Sequence, residues 1–223
     1  MSVRRIPIGG PAVLRGLRVN PRYREVLRPL SRRPGATPRP EVNRRIRSEE
    51  QAARGAVSIS AAFGIWRREQ LSALRLPEDW FGKAPWVGLG VVTLGGRLEA
   101  EVRRLCACGQ GARAVVLDAW GSAFAEAAAD RIDALLCREG RDLGLWGGRR
   151  RSPGYGSWPL EVQAPLLEAC EAHRIGVALT EGCIMRPEKS VSFAVPILEA
   201  EPTEKTGDKC GACGAVDCSL RTE

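Results

Sequence analysis

Between residues 57 and 65 every second side chain is apolar: Val57, Ile59, Ala61, Phe63 and Ile65 alternate with smaller or polar neighbours. A period of two places these five side chains on one face of a pleated strand, the pattern of a half-buried sheet. A second apolar run, Val87 to Leu94, stops at Gly95-Gly96, and two more, Ile175 to Thr180 and Ser190 to Ile197, follow far downstream. Helical patterns separate them. A helix is predicted from Glu41 to about Arg54. Leu98, Val102 and Leu105 recur at helical spacing up to the Gly109-Gln110-Gly111 break. After the short apolar run Ala114 to Leu117, Ser122 offers an N-cap to a helix with Phe124, Ala128, Ile132, Leu135 and Leu136 on one face, ending at Gly140. A further helix is predicted from Pro159 to about His173, with Pro165 delaying or bending it. The order is mixed, and no GxGxxG opens a helix after a strand, which argues against a dinucleotide-binding unit. The pattern predicts an α+β class: a single domain with a twisted, largely antiparallel central sheet flanked by helices.

With 44% hydrophobic residues in 223, a sizeable core is expected, and no run of 18 apolar residues offers a membrane-spanning helix. Charge is unevenly spread. Residues 1–50 hold 13 Arg and four Glu, so the remaining 21 basic and 22 acidic side chains nearly cancel. The excess sits in a Pro/Arg-rich stretch, where Pro34, Pro38 and Pro40 break any helix. This predicts a basic, extended arm over 1–40, a domain over 41–198, and a linker and Cys-rich tail over 199–223. With the folded part neutral, neither nucleic acid nor membrane is expected as a partner. No apolar stretch follows the first Arg residues, so no secretory signal is expected, and the location is read as cytoplasmic with reduced thiols.

In that compartment clustered cysteines point to metal or redox chemistry. The tail carries Cys210, Cys213 and Cys218 as C-x2-C-x4-C, three thiolates able to grip one ion. The fourth ligand is open among Cys106, Cys108, Cys183 and another subunit, and the choice between zinc and an iron-sulfur cluster is open too. Cys106 and Cys108 lie two apart on a helix and so face different ways. His173, the one histidine, reads as an ordinary helix-terminal residue.

Gly140 to Ser157 is rich in Gly and Arg without periodicity, an exposed loop of the kind that carries function. Its end, Arg150-Arg151-Ser152-Pro153-Gly154-Tyr155-Gly156-Ser157-Trp158-Pro159-Leu160, combines a guanidinium fork, a rigid turn whose glycine admits close approach, and a stacking ring. Taken alone it also suits a plain surface turn. With Glu161 and Gln163 it resembles the signature of the activation domain of cobalamin-dependent methionine synthase and its small free-standing relatives. The resemblance extends in order through Thr93-Leu94-Gly95, Leu98-Glu99, Asp118, Gly121-Ser122, Glu126, Ile175-Gly176-Val177, Leu179-Thr180-Glu181, Met185, Pro187 and Lys189-Ser190-Val191-Ser192, covering about residues 50–198.

The resemblance implies a subunit of a cobalamin-dependent methionine synthase acting in trans. It would bind S-adenosylmethionine and support reductive methylation of inactive cob(II)alamin held by a separate cobalamin-binding subunit, with a flavodoxin- or ferredoxin-type reductant. It also implies that Arg150, Ser152, Pro153, Gly154 and Tyr155 form the S-adenosylmethionine site, with Glu126, Thr180 and Glu181 as further candidates. Without the resemblance, Glu126 joins Asp130 and Asp133 in a charge row that reads as a solvated face. No side chain is named as a catalytic nucleophile; the expected contribution is orientation and exclusion of water. Cys183 stands where the family often has a larger residue, and Pro165 lies inside the helix after the signature. The alternative function is a corrinoid-protein scaffold or electron-transfer partner that uses the tail and does not bind S-adenosylmethionine.

Overall fold

The period-two run becomes β2 in a computed structural model that describes residues 6, 8–31 and 38–201. Strands β1 (Ala12–Arg15), β2 (Ser60–Arg67), β3 (Trp86–Thr93), β4 (Trp146–Gly147) and β7 (Ser190–Leu198) form one antiparallel sheet in the order β1-β2-β3-β7-β4. A separate two-stranded ladder pairs β5 (Ala178–Leu179) with β6 (Met185–Arg186). The helices are α1 (Tyr23–Leu30), α2 (Pro40–Ser48), α3 (Glu50–Ala56), α4 (Glu78–Phe81), α5 (Arg97–Ala107), α6 (Gly111–Asp142) and α7 (Gln163–Ala169). The α+β class and antiparallel sheet therefore agree with the sequence pattern.

The sheet is buried on both faces, which is why β3 reads as a continuous apolar run. Phe63, Ile65, Val92, Phe193 and Val195 face a core built on α6, whereas Val87, Leu89, Val91 and Ala194 face a second core containing Trp158, Phe81 and Leu166. Gly88 and Gly90 leave room for neighbouring side chains on the α6 side of β3. Gly90 lies in register between Phe63 and Phe193, and a Cβ there would stand 2.5 Å from Cζ of Phe193. Leu136 of α6 fills the space over Gly88.

Four expectations are corrected. Residues 12–30 do not form an extended arm. β1 pairs along β2 from Ala12 opposite Phe63 to Arg15 opposite Ser60, and α1 buries Val26 completely. A lone segment cannot reveal the free edge of β2 or the side of α6 that these apolar residues cover. Second, Ser122 caps nothing: α6 is one helix of 32 residues, and the Ser122 hydroxyl donates back to the Asp118 carbonyl at 3.3 Å. Gly121 sits mid-helix because Leu98 packs against it; a Cβ there would meet Cδ2 of Leu98 at 2.8 Å. Third, the helix after the signature is short. A 3-10 turn over Leu160–Val162 leads into α7, with Pro165 in the first helical turn, where its missing N–H costs no bond. The predicted helix over 41–54 is two, α2 and α3, meeting at Glu49, whose carboxylate Arg113 holds at 2.7 and 3.1 Å. Among the described residues no helix is long and apolar enough to cross a membrane.

Candidate functional site

The signature loop leaves the sheet beside β7. Arg151 exchanges two backbone hydrogen bonds of 2.8 Å with Ala194, which makes this stretch locally strand-like. Alternation then sends consecutive side chains to opposite faces. Arg150 turns toward α6, its guanidinium carbon 5.2 Å from the Phe193 ring centre, and Arg151 turns to the other side, 4.6 Å over Trp80. Beyond them Pro153 is buried and Gly154 adopts φ +86°, so its N–H donates to the Trp158 carbonyl at 2.9 Å. Trp158 anchors the turn: it is buried, donates its indole N–H to the Leu74 carbonyl at 2.8 Å and packs 5.6 Å from Phe81. Gly156 rests on Trp80, and Tyr155, 69% exposed, projects from the turn into solvent. Ser152 is half-buried at its base.

The Arg150 guanidinium is the centre of the arrangement. Its Nη2 lies 2.9 Å from Glu126 and 3.0 Å from Asp130, residues one turn apart on α6. Its side chain is 11% exposed, whereas those carboxylates are 46% and 48% exposed. Both carboxylates thus converge on a single guanidinium nitrogen. Arg150 Nη1 is buried with no hydrogen-bond partner among the described residues. The charge row on α6 is therefore no merely solvated face: Glu126 and Asp130 hold the loop's arginine.

Other quoted motifs are wired together nearby. Lys189 donates its backbone N–H to Glu99 at 2.9 Å, and its ammonium reaches Asp118 at 2.8 Å and Ser122 at 2.9 Å. Ser190 donates to Pro187 and lies 2.9 Å from the Thr93 hydroxyl. Ser192 donates to Gln163 at 3.0 Å, and Gln163 donates to the Cys183 carbonyl at 2.9 Å. These bonds fix the approach to β7 and the turn joining β5 to β6. Thr180 closes that turn, its hydroxyl accepting the Ile184 N–H at 3.1 Å, and Glu181 is exposed at the tip. Thr180 thus makes its hydrogen bonds within its own turn, whereas Glu126 bonds Arg150 directly.

The tail thiols Cys210, Cys213 and Cys218 lie outside the described residues. Cys106 and Cys108 are exposed, Cys183 is half-buried, and among the described residues no three His, Cys, Asp or Glu side chains converge as a metal site. Cys137 is half-buried and Cys170 buried, and both are held protonated: the Cys137 thiol is pushed up to about 12, chiefly by desolvation and then by the neighbouring Asp133, and burial raises Cys170 as well.

A solved structure described as the MetH reactivation domain bound to AdoHcy superposes on this chain with a TM-score of 0.65, covering 90% of this chain and 81% of that one. The chain has the fold of the MetH reactivation domain. Identity over the match is 18%, and no family profile matches the sequence. Within this reactivation fold, sequence reasoning missed the supports Trp80 and Asp130. Asp130 carried a usable signal, since it stands four residues after Glu126 and hence on the same side of a helix. Trp80 carried none, because its role depends on a loop brought to it from seventy positions downstream.

Proposed function

We propose that this protein is a stand-alone activation subunit for a cobalamin-dependent methionine synthase, binding S-adenosylmethionine at the Arg150 loop. The observation that carries the reading is the buried Arg150 guanidinium, with Nη1 unsatisfied, beneath two half-open carboxylates. It stands on a fold whose solved neighbour was crystallised with AdoHcy. The donor set fits the ligand. Nη1 offers a charge-assisted hydrogen bond to the methionyl carboxylate. The half-exposed carboxylates of Glu126 and Asp130 suit the α-ammonium and sulfonium, and Tyr155 offers a ring to the adenine. Ser152, Pro153 and Gly154 set the backbone of the cradle, and Thr180 and Glu181 supply an outer rim.

When bound, S-adenosylmethionine supplies an electrophilic methyl group. The substrate is the corrinoid of a separate cobalamin-binding methionine synthase subunit. A bound S-adenosylmethionine would supply this methyl group to the reduced corrinoid, with the electron for that reduction coming from a flavodoxin- or ferredoxin-type protein and S-adenosylhomocysteine as the product. This chain's residues orient the donor and exclude water; none acts as nucleophile. Cys210, Cys213 and Cys218 hold zinc or an iron-sulfur cluster, and the protein works in the cytoplasm.

Calorimetric titration with S-adenosylmethionine, beside an Arg150→Ala variant, tests the site. One-to-one binding that the variant loses is expected. No heat from the parent, with or without a corrinoid partner, overturns the ligand assignment and favours the scaffold or electron-transfer function. Metal analysis after anaerobic purification tests the tail, and a parent free of metal refutes that part.

A further inference from the structure

Much of the chain's positive charge is built into a folded surface. Residues 8–31 and 38–56 carry ten Arg, four Glu and no Lys or Asp. They form β1 and α1 to α3, fastened to the rest of the domain. Val26, Ile46 and Ala53 are buried, the Trp120 indole donates to the Ile46 carbonyl at 2.8 Å, and the Tyr23 hydroxyl bonds Asn43, tying α1 to α2. Arg15, Arg18, Arg22, Arg24, Arg39, Arg44, Arg45 and Arg47 remain exposed. Of these, Arg24 and Arg45 have only open ion pairs, at 3.4 and 3.7 Å, which neutralise little. Arg18, Arg22, Arg39 and Arg44 have no ion-pair partner among the described residues. Arg22 and Arg44 are the chain neighbours of the bonded pair Tyr23 and Asn43, so that bond brings arginine-bearing stretches of α1 and α2 together.

We propose that this surface docks an acidic soluble protein, and, resting on the function proposed above, that this protein is the one-electron donor. Positive charge held on anchored helices meets a carboxylate-rich face without the ordering cost of a flexible tail. Other anionic partners fit less well. The layer's one aromatic ring, Tyr23, is covered by the Arg47 guanidinium at 4.0 Å, leaving no platform on which a base stacks. The apolar side chains of α1 and α2 mostly point inward to α6, leaving little to insert into a bilayer.

The experiment measures binding of a purified, oxidised acidic ferredoxin to the full chain by biolayer interferometry at about 50 and 150 mM salt. The test variant reverses Arg18, Arg22, Arg39 and Arg44 to Glu. A control of equal net charge reverses Lys83, Arg103, Arg131 and Arg138, which are exposed elsewhere. The test variant should bind about tenfold or more weakly at the lower salt and lose most of its salt dependence, while the control stays within about twofold of the parent. Equal loss in both variants overturns the proposal, because net charge alone then explains the binding. It is also overturned if the parent, at the higher salt, binds a short DNA duplex or phosphatidylserine vesicles more tightly than ferredoxin and the test variant loses that binding. S-adenosylmethionine titration of the same proteins separates the two ideas: its failure in the parent removes the ligand assignment, and the docking result stands or falls on its own.

Discussion

Gly90→Ala is the sharpest probe of how the core supports the site. β3 is paired on both sides, to β2 and to β7, so its backbone has little freedom to retreat. The added Cβ would lie 2.5 Å from Cζ, 2.8 Å from Cε1 and 3.0 Å from Cε2 of Phe193. Ordinary carbon contacts are about 3.5 to 4.0 Å, so the ring must withdraw by about 1 Å. Overpacking of this kind costs about 1 to 3 kcal/mol, and relief of glycine's backbone entropy returns about 0.5 to 1 kcal/mol. A net loss of about 1 to 2 kcal/mol is expected in urea unfolding at unchanged m, with the thermal midpoint lower by roughly 2 to 8 °C. Phe193 stands 5.2 Å from the Arg150 guanidinium carbon, so the displacement also reaches the site. Adding Phe193→Leu removes the clashing ring, and the double-mutant cycle should show favourable coupling of about 1 kcal/mol. A Gly90→Ala protein within about 0.3 kcal/mol of the parent, with no coupling to Phe193→Leu, would refute the argument.

Trp158→Phe leaves the Leu74 carbonyl without its indole donor and should cost about 1 to 2 kcal/mol, with limited proteolysis showing faster cutting in 150–160. Asp118→Asn weakens the clamp on Lys189 and should lower stability by about 1 kcal/mol at neutral pH, an effect that shrinks in Lys189→Met. An aromatic disulfide reagent at pH 8 should label Cys106 and Cys108 in the folded chain and reach Cys137 and Cys170 only on unfolding, as mass spectrometry would read. Because the Cys137 thiol titrates near 9 when unfolded and about 12 when folded, the folded state holds its proton longer. Its contribution is therefore complete below pH 9 and lost as pH rises toward 12, a decline that Cys137→Ala should reduce in denaturation curves.

Elements whose burial follows from their own periodicity were legible in the sequence. β2, β3, α5 and β7 lie within a few residues of their predicted spans, because alternation or helical spacing alone decides which face is covered. Elements fixed by a distant partner were not. Gly121-Ser122 has the local chemistry of a break, yet Leu98 from α5 requires the small residue there and the helix runs through. β1 has four residues, too few for a convincing alternation, and exists because β2 has an edge to offer. At the candidate site the Arg150 loop and Glu126 stood out by resemblance. Asp130 did not, since a charged face looks the same in sequence whether water or an arginine covers it.

The position of β7 in the sheet governs how the chain can be assembled. It is the last strand among the described residues, yet it lies between β3 and β4 and supplies Ala194 to the Arg151 bridge. A nascent chain that has emerged only as far as the signature loop therefore has β3 exposed along one side and Arg151 without its strand partner. The apolar β3 edge is a template for pairing with other chains during that interval. Contacts this distant in sequence slow folding, so successful production should depend on synthesis rate and temperature more than on the final stability of the domain. Any truncation that removes residues after 190 forfeits the loop along with the strand.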